Sequence, residues 1–345
     1  MSVHSTHGLA KGISKVVTLA HGGGGRQMHE LIKLVFLPAF ANEMLSPLSD
    51  SAIGNFDGYK IAITTDAFVV SPIEFPGGDI GKLSVCGTVN DLSVAGARPI
   101  WLCASFIVEE GLPIETLERI ANSMRHAAIE AGVSIVAGDT KVVGKGACDK
   151  LFIVTSGVGV VQADLNAKHI REGDVVIVNG YVGDHGIAVM SKREGLGFET
   201  EVESDCAPLW SLVESLLYGC KTLRCLKDPT RGGLATALHE LAEAASVCIE
   251  IDEDAIPIRP SVLTACELLG IDPLYVANEG KLVAIVSRDE AEVALSIMRS
   301  HPLGKHASII GRVIAEPKGQ LVIRTTIGSR RLVEPFSGEQ LPRIC

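Results

Sequence analysis

Long apolar strand patterns alternate with helical ones along this chain, and the alternation starts twice. The first series begins with "YKIAITTDAFVV", a strand ending near Asp66, followed by the helical spacing of "GDIGKLSVCGTVNDLSVAGA" with Ile80, Leu83, Val89, Leu92 and Val94 available for packing. The strand "RPIWLCASFIVEE", the amphipathic helix "IETLERIANSMRHAAIEAG" and the strand "CDKLFIVTSGVGVV" complete it. A hydrophobic period that switches between 2 and 3.6 dictates strands and helices packed in layers. A fresh series opens around "KHIREGDVVIVNGYVGDHG" and continues through "VCIEID", "LVAIVS", "ASIIGRVI" and the short "GQLVIRTTI". We therefore expect two α/β (α+β) domains, over 46–165 and 166–320. A segment 1–45 carrying a glycine-rich loop precedes them, and a free tail 321–345 follows.

Composition agrees and excludes several classes. With 345 residues and 47% hydrophobic content the chain can bury more than one core, and only 4% aromatics implies packing by small aliphatic side chains. A formal charge of −10 and no Lys/Arg-rich run argue against nucleic-acid binding. No apolar run approaches the ~18 residues of a membrane span, and "MSVHSTHGLAKGISK" lacks the apolar stretch of a signal peptide. Nine cysteines, an odd number without a C-x-x-C pair, fit a reducing cytoplasm.

Several motifs can carry chemistry. "HGGGGRQ" lacks the Lys-Ser/Thr of a phosphate-binding P-loop and no strand clearly precedes it, so it is not a dinucleotide fingerprint. Its glycines Gly22, Gly23, Gly24 and Gly25 can either bend closely round phosphate oxygens or serve as a plain linker. Asp50, Asp66, Asp91, Asp139 and Asp228 stand at strand ends and turns, beside glycines or turn residues. Each alone could cap a helix; several converging would repel one another unless a hard cation shared them, as Mg²⁺ does between carboxylates and phosphates. Asp139, Thr140 and Lys141 follow the strand "VSIVA", where the lysine can neutralise phosphate or sit solvated. "DPTRGGLATALHELAEAA" reads as turn, two glycines and helix, which would set Asp228 at a helix N-terminus. In "YVANEGK", Glu279 stands beside a glycine before a strand, a place where a lone glutamate is usually solvated.

The chain ends "GEQLPRIC". Packing cysteines normally lie inside elements, so Cys345 is either an accident of the terminus or a sulfur carried on a mobile tail. Ten extended tail residues would reach about 30 Å.

The order of glycine run, "DSAIG", "TTDAF", "VNDLSVAGA", "GDTKVV", "DPTRGGL", "NEGK" and terminal "PRIC" resembles the hydrogenase maturation factor HypE family over nearly the whole chain. That resemblance implies a two-domain PurM-like (AIR synthetase-like) ATP-binding fold with a flexible C-terminal tail, paired into a homodimer through its N-terminal domains. It implies a lyase: a carbamoyltransferase, HypF, loads a carbamoyl group on Cys345, and ATP drives its dehydration to S-cyanate. The nitrile then passes to iron on a HypC–HypD scaffold, as a cyanide ligand of the [NiFe]-hydrogenase centre. By match to the family motifs, Asp50, Asp91 and Asp228 would hold Mg²⁺, while Gly22 to Gly25, Asp66, Asp139 and Thr140 would bind ATP. Lys141 would stabilise transferred charge and Glu279 would serve as base. An adjacent α-carboxylate would raise the thiol pKa above ~8.5, with Arg343 offsetting it and Pro342 stiffening the approach. Two other readings compete. A selenophosphate synthetase of the same superfamily would carry a reactive Cys or Sec near its start, yet residues 1–25 contain no cysteine. A non-catalytic partner protein with a recognition tail would leave the aspartates and "NEGK" without a use.

Overall fold

The computed structural model describes residues 16–193, 200–335 and 343–345; Pro342 and residues 1–15 of the N-terminal segment lie outside them. The glycine run leads into α1 (Arg26–Leu31), which continues through a wide turn at Ile32–Phe36 into α2 (Leu37–Phe40). The first series of patterns then folds as one sheet. Strands β1 (Ala52–Phe56) and β2 (Tyr59–Phe68) form a hairpin whose turn residues Asp57 and Gly58 both have positive φ. An Asp-Gly pair is suited to that turn, because glycine has no Cβ to clash and aspartate tolerates the left-handed region. The two-residue strands β3 (Glu74–Phe75) and β4 (Gly78–Asp79) lead into α3 (Ile80–Val94), capped by Asp79, whose carboxylate accepts the Gly81 and Lys82 N–H groups. β5 (Ala97–Glu109), α4 (Ile114–Ala131), β6 (Ser134–Val143) and β7 (Leu151–Val161) complete the domain. The sheet order is β1-β2-β7-β5-β6, antiparallel except between β5 and β6.

The second series builds a seven-stranded sheet. In chain order it comprises β8 (Val175–Val178), α5 (Asp184–Ser191), α6 (Trp210–Gly219), β9 (Leu223–Lys227), α7 (Gly233–Ala245) and β10 (Cys248–Asp252). These are followed by α8 (Pro260–Leu269), β11 (Val283–Val286), α9 (Ala291–Ser300), β12 (Ser308–Ile314), β13 (Gln320–Arg324) and β14 (Arg330–Val333). The order β14-β13-β10-β12-β8-β11-β9 puts β8 and β11 inside. Val176, Val178, Val283 and Ile285 pack on one face of this sheet, and Ile177, Ala284 and Val286 on the other. Burial on both faces is why these strands read as unbroken apolar runs.

The first sheet is covered on one face only. Ala62, Thr64 and Phe68 of β2 point inward, and the intervening Ile63 points out and is exposed. The inner face is closed by α3, which also touches α6 and β9 of the second domain. Buried on almost every side, α3 has no single apolar stripe: its aliphatic residues face the cores, and its buried Ser84, Thr88, Asn90 and Ser93 find hydrogen-bond partners. It is the shared wall between the domains.

The expected free tail needs correction at both ends. β13 and β14 extend the second sheet to Val333, because Leu321 and Ile323 fill its core. At the other end, Ile344 and Cys345 are 5% exposed and pack in the first domain's core.

Candidate active site

The carboxylates come from four elements around α3. Asp66 stands on β2 between inward-facing Thr64 and Phe68, and Asp91 lies in the last turn of α3. Asp50 just precedes β1 and Asp228 just follows β9. The Thr64 hydroxyl donates to Asp91 Oδ2 (2.8 Å) and lies 2.9 Å from the Asp50 carbonyl oxygen. Burial, then the charges of Asp66, Asp228 and Asp50, push the Asp91 carboxyl well above its ordinary range. Asp66 is raised chiefly by burial, against the pull of Arg231. Burial and Asp50 lift Asp228 to about 7. The site holds more negative charge than its own cations balance.

Lys227 supplies part of that balance. Its Nζ lies 2.6 Å from Asp50 Oδ1 and 3.0 Å from Glu240 Oε2, and His29 of α1 closes the chain at 3.1 Å from Glu240 Oε1. Burial disfavours the Glu240 charge, but Lys227 and the His29 hydrogen bond outweigh it and hold that carboxyl at about 2. Lys227→Met should therefore destabilise the fold by about 2 kcal/mol, between the ~1 of an exposed pair and the 3–5 of a buried one. Urea unfolding at pH 7 measures it. Because the Glu240 carboxyl is depressed, its contribution is present above about pH 4.5 and is lost as the pH falls towards 2.

The C-terminal thiol faces the same cluster. Arg231, four residues after Lys227 in sequence, donates from Nη1 to Cys345 Sγ at 3.3 Å. Its guanidinium is held firmly charged by Cys345, Asp66 and Glu279 around it. The thiol is raised to about 11 by burial, with Arg231 pulling down and Glu279 pushing up. Glu279 is 3% exposed, and its Oε1 has no hydrogen-bond partner among the described residues. Burial and the neighbouring Cys206, Asp228 and Asp205 push it well above the carboxylate range. Once ionised, a carboxylate in such a setting is a stronger proton acceptor than a solvated one.

Backbone contacts seat the last three residues. Val69 N–H donates to the Cys345 carbonyl oxygen (3.2 Å) and Ser71 N–H to that of Arg343 (3.1 Å). His185 Nε2 donates to the Ile344 carbonyl (2.9 Å), while its Nδ1 takes the Ser204 hydroxyl at 2.8 Å. Burial lowers the His185 pKa, so this neutral tautomer is the one the site holds. Arg343 bonds to Asp149 Oδ2 (2.7 Å) and to the Val69 carbonyl (2.9 Å). Arg343 therefore anchors the tail, and the part expected of it beside the thiol belongs to Arg231.

The glycine loop lies over this arrangement. Gly24 has φ +76, and a Cβ built there would meet Arg231 Cβ at 2.6 Å and its carbonyl oxygen at 3.0 Å. Only glycine permits both the backbone conformation and the approach.

Asp139, Thr140 and Lys141 are not brought to the cluster within one chain. They lie on the exposed edge strand β6, where Lys141 pairs with Asp139 at 3.0 Å. Asp50, Asp66, Asp91, Asp228, Glu279, Gly24 and Cys345 do converge. The sequence reading missed Lys227 and Arg231 as site residues, although Arg231 stands inside the quoted "DPTRGGL".

A two-sheet fold with this cleft is that of the AIR synthase-related proteins. Residues 48–161 match the AIR synthase related protein N-terminal domain and residues 171–324 its C-terminal domain. The chain is 51% identical to carbamoyl dehydratase HypE of Rhodobacter capsulatus over 95% of its own length and 98% of that protein, and 46% identical to carbamoyl dehydratase HypE of Escherichia coli over 95% and 99%. Among solved structures it is similar to the HypE–HypF complex (TM-score 0.84, 50% identity, 89% of this chain and 99% of that one). It is also similar to hydrogenase maturation protein HypE in complex with ATP (TM-score 0.80, 47% identity, 96% and 100%). This chain belongs to the HypE carbamoyl dehydratase family.

Proposed function

We propose that the chain uses ATP to dehydrate a carbamoyl group carried on its own Cys345 to S-cyanate, the source of cyanide for a [NiFe]-hydrogenase iron centre. The observation that carries this is the seating of the Cys345 sulfur 3.3 Å from Arg231, in a cleft shared with Asp66 and Glu279. Hydroxide is a very poor leaving group, and ATP supplies the phosphoryl group that lets the carbamoyl oxygen depart as phosphate. The amide nitrogen must lose both protons as C≡N forms, and Glu279 is the group placed to accept one. Arg231 orients the sulfur-borne group and offsets charge building on its oxygen. The Gly22 to Gly25 loop, seated against Arg231 through Gly24, would close over the bound nucleotide.

The residues also fit Mg²⁺. Among the described residues no three acidic, His or Cys side chains close on one point, yet Asp50, Asp66, Asp91 and Asp228 repel one another in a way a divalent cation relieves. Asp50, Asp91 and Asp228 are its holders in this reading, and the cation screens phosphate charge. Carbamoyl transfer would come from a HypF-type partner and nitrile delivery would go to a HypC–HypD-type scaffold.

A second copy of the chain fits the bare face of the first sheet, which exposes Tyr59, Ile63 and Trp101. Pairing there would add Asp139, Thr140 and Lys141 to a cleft assembled from two chains. Trp101→Asp should shift sedimentation from dimer to monomer; an unchanged dimer would remove this face as the interface.

Intact-protein mass spectrometry tests the reaction. Protein pre-carbamoylated by the partner enzyme should lose one water from the Cys345 peptide only when Mg-ATP is added. No adduct on Cys345 with an active partner would end the proposal.

A further inference from the structure

Glu279 is gripped by its backbone on both sides, and one grip comes from the other domain. Its N–H donates to Asp205 Oδ1 (3.1 Å), and the following Gly280 N–H donates to Asp205 Oδ2 (3.2 Å). Asp205 is held in turn by Lys281 Nζ at 2.9 Å, so its carboxylate accepts from three consecutive residues. A Cβ on Gly280 would sit 1.9 Å from the Asp205 carbonyl oxygen, so this packing admits glycine alone. On the other side, Asn90 Nδ2 donates to the Glu279 carbonyl (3.1 Å) and to that of Ala207 (3.1 Å), while Asn90 Oδ1 accepts the Leu209 N–H (2.8 Å). Asn90 is 2% exposed, and all three partners lie in the second domain. Its neighbour on α3 is Asp91 of the carboxylate cluster.

We infer that Asn90 and Asp205 are positioning residues that set the Glu279 carboxyl at a fixed distance from the Asp91 side of the cleft, so that water loss stays coupled to phosphoryl transfer. The assignment rests on Glu279 acting as the base. The logic is geometric: the Glu279 side chain has an oxygen with no partner, so its place is fixed through its main chain. A main chain tethered to α3 moves with Asp91; an untethered one follows the second domain alone. Misplacing a reacting group by about 1 Å can cost around a hundredfold in rate.

Asn90→Asp keeps the shape and the acceptor for Leu209 while removing both donors. It should lower the rate of S-cyanate formation about 10–100-fold with the KM for ATP within about twofold. The decisive readout is the ratio of S-cyanate formed to ADP released by the pre-carbamoylated, Mg-ATP-supplied protein, which should fall at least about fivefold. A merely structural role would lower both products together. Asp205→Asn attacks the same grip from the opposite side and should show the same uncoupling, which decides the matter should Asn90→Asp not fold. An unchanged ratio in the folded variants overturns the inference, as does a pure rise in KM or loss of folding in both. If Glu279→Gln also leaves water loss intact, the base assignment fails first, and the two failures are thereby told apart.

Discussion

Glu279→Gln should slow water loss from the carbamoyl group by about 10²–10⁴-fold while ATP binding changes by less than about twofold. The amide keeps the shape and the backbone tethers of Glu279, so the change removes one proton acceptor and little else. Burial has already stripped that carboxyl of water, and its Oε1 has no partner among the described residues. That oxygen is therefore free to meet a substrate N–H. Single-turnover mass spectrometry of carbamoylated protein, set beside equilibrium ATP titration, separates the two quantities. A variant that dehydrates at the wild-type rate would remove Glu279 as base.

Cys345→Ser has the largest expected effect, because it deletes the atom that carries the substrate. Adduct formation and S-cyanate should both fall below detection. Stability should move by only about 1 kcal/mol, since Arg231 can donate to a hydroxyl as it does to the sulfur. Unfolding curves and peptide mapping on the same preparation test both halves. A carbamoyl adduct elsewhere on the chain would redirect the mechanism, and gross unfolding would make the terminal residue structural.

Much of this site was legible in the sequence, for reasons that can be named. Asp66, Asp91 and Asp228 sit where strands and helices end, and local patterning fixes such ends. β1 was missed because Ala52–Phe56 is short and has no buried apolar residue, so its pairing rests on the Asp57-Gly58 turn. Arg231 was passed over since its value lies in what faces it, a sulfur 114 residues away in sequence. Asn90 escaped for the same reason: its three partners lie between 117 and 189 residues downstream. β6 shows where patterning within one chain stops. "GDTK" has the chemistry of a phosphate site, but the strand carries it to a sheet edge away from its own chain's cleft.

The seating of the last three residues has a kinetic corollary. A sulfur in a residue only 5% exposed is out of reach of any carbamoylating enzyme, and of alkylating reagents too. Loading then needs a prior opening in which the contacts of Val69, Ser71 and His185 to the tail backbone are given up. Under conditions where opening and reclosing are fast, the rate of thiol labelling equals the intrinsic rate multiplied by the open fraction, as in amide hydrogen exchange. Cys345 is in that sense its own reporter, and the labelling rate with and without nucleotide would read the opening equilibrium directly.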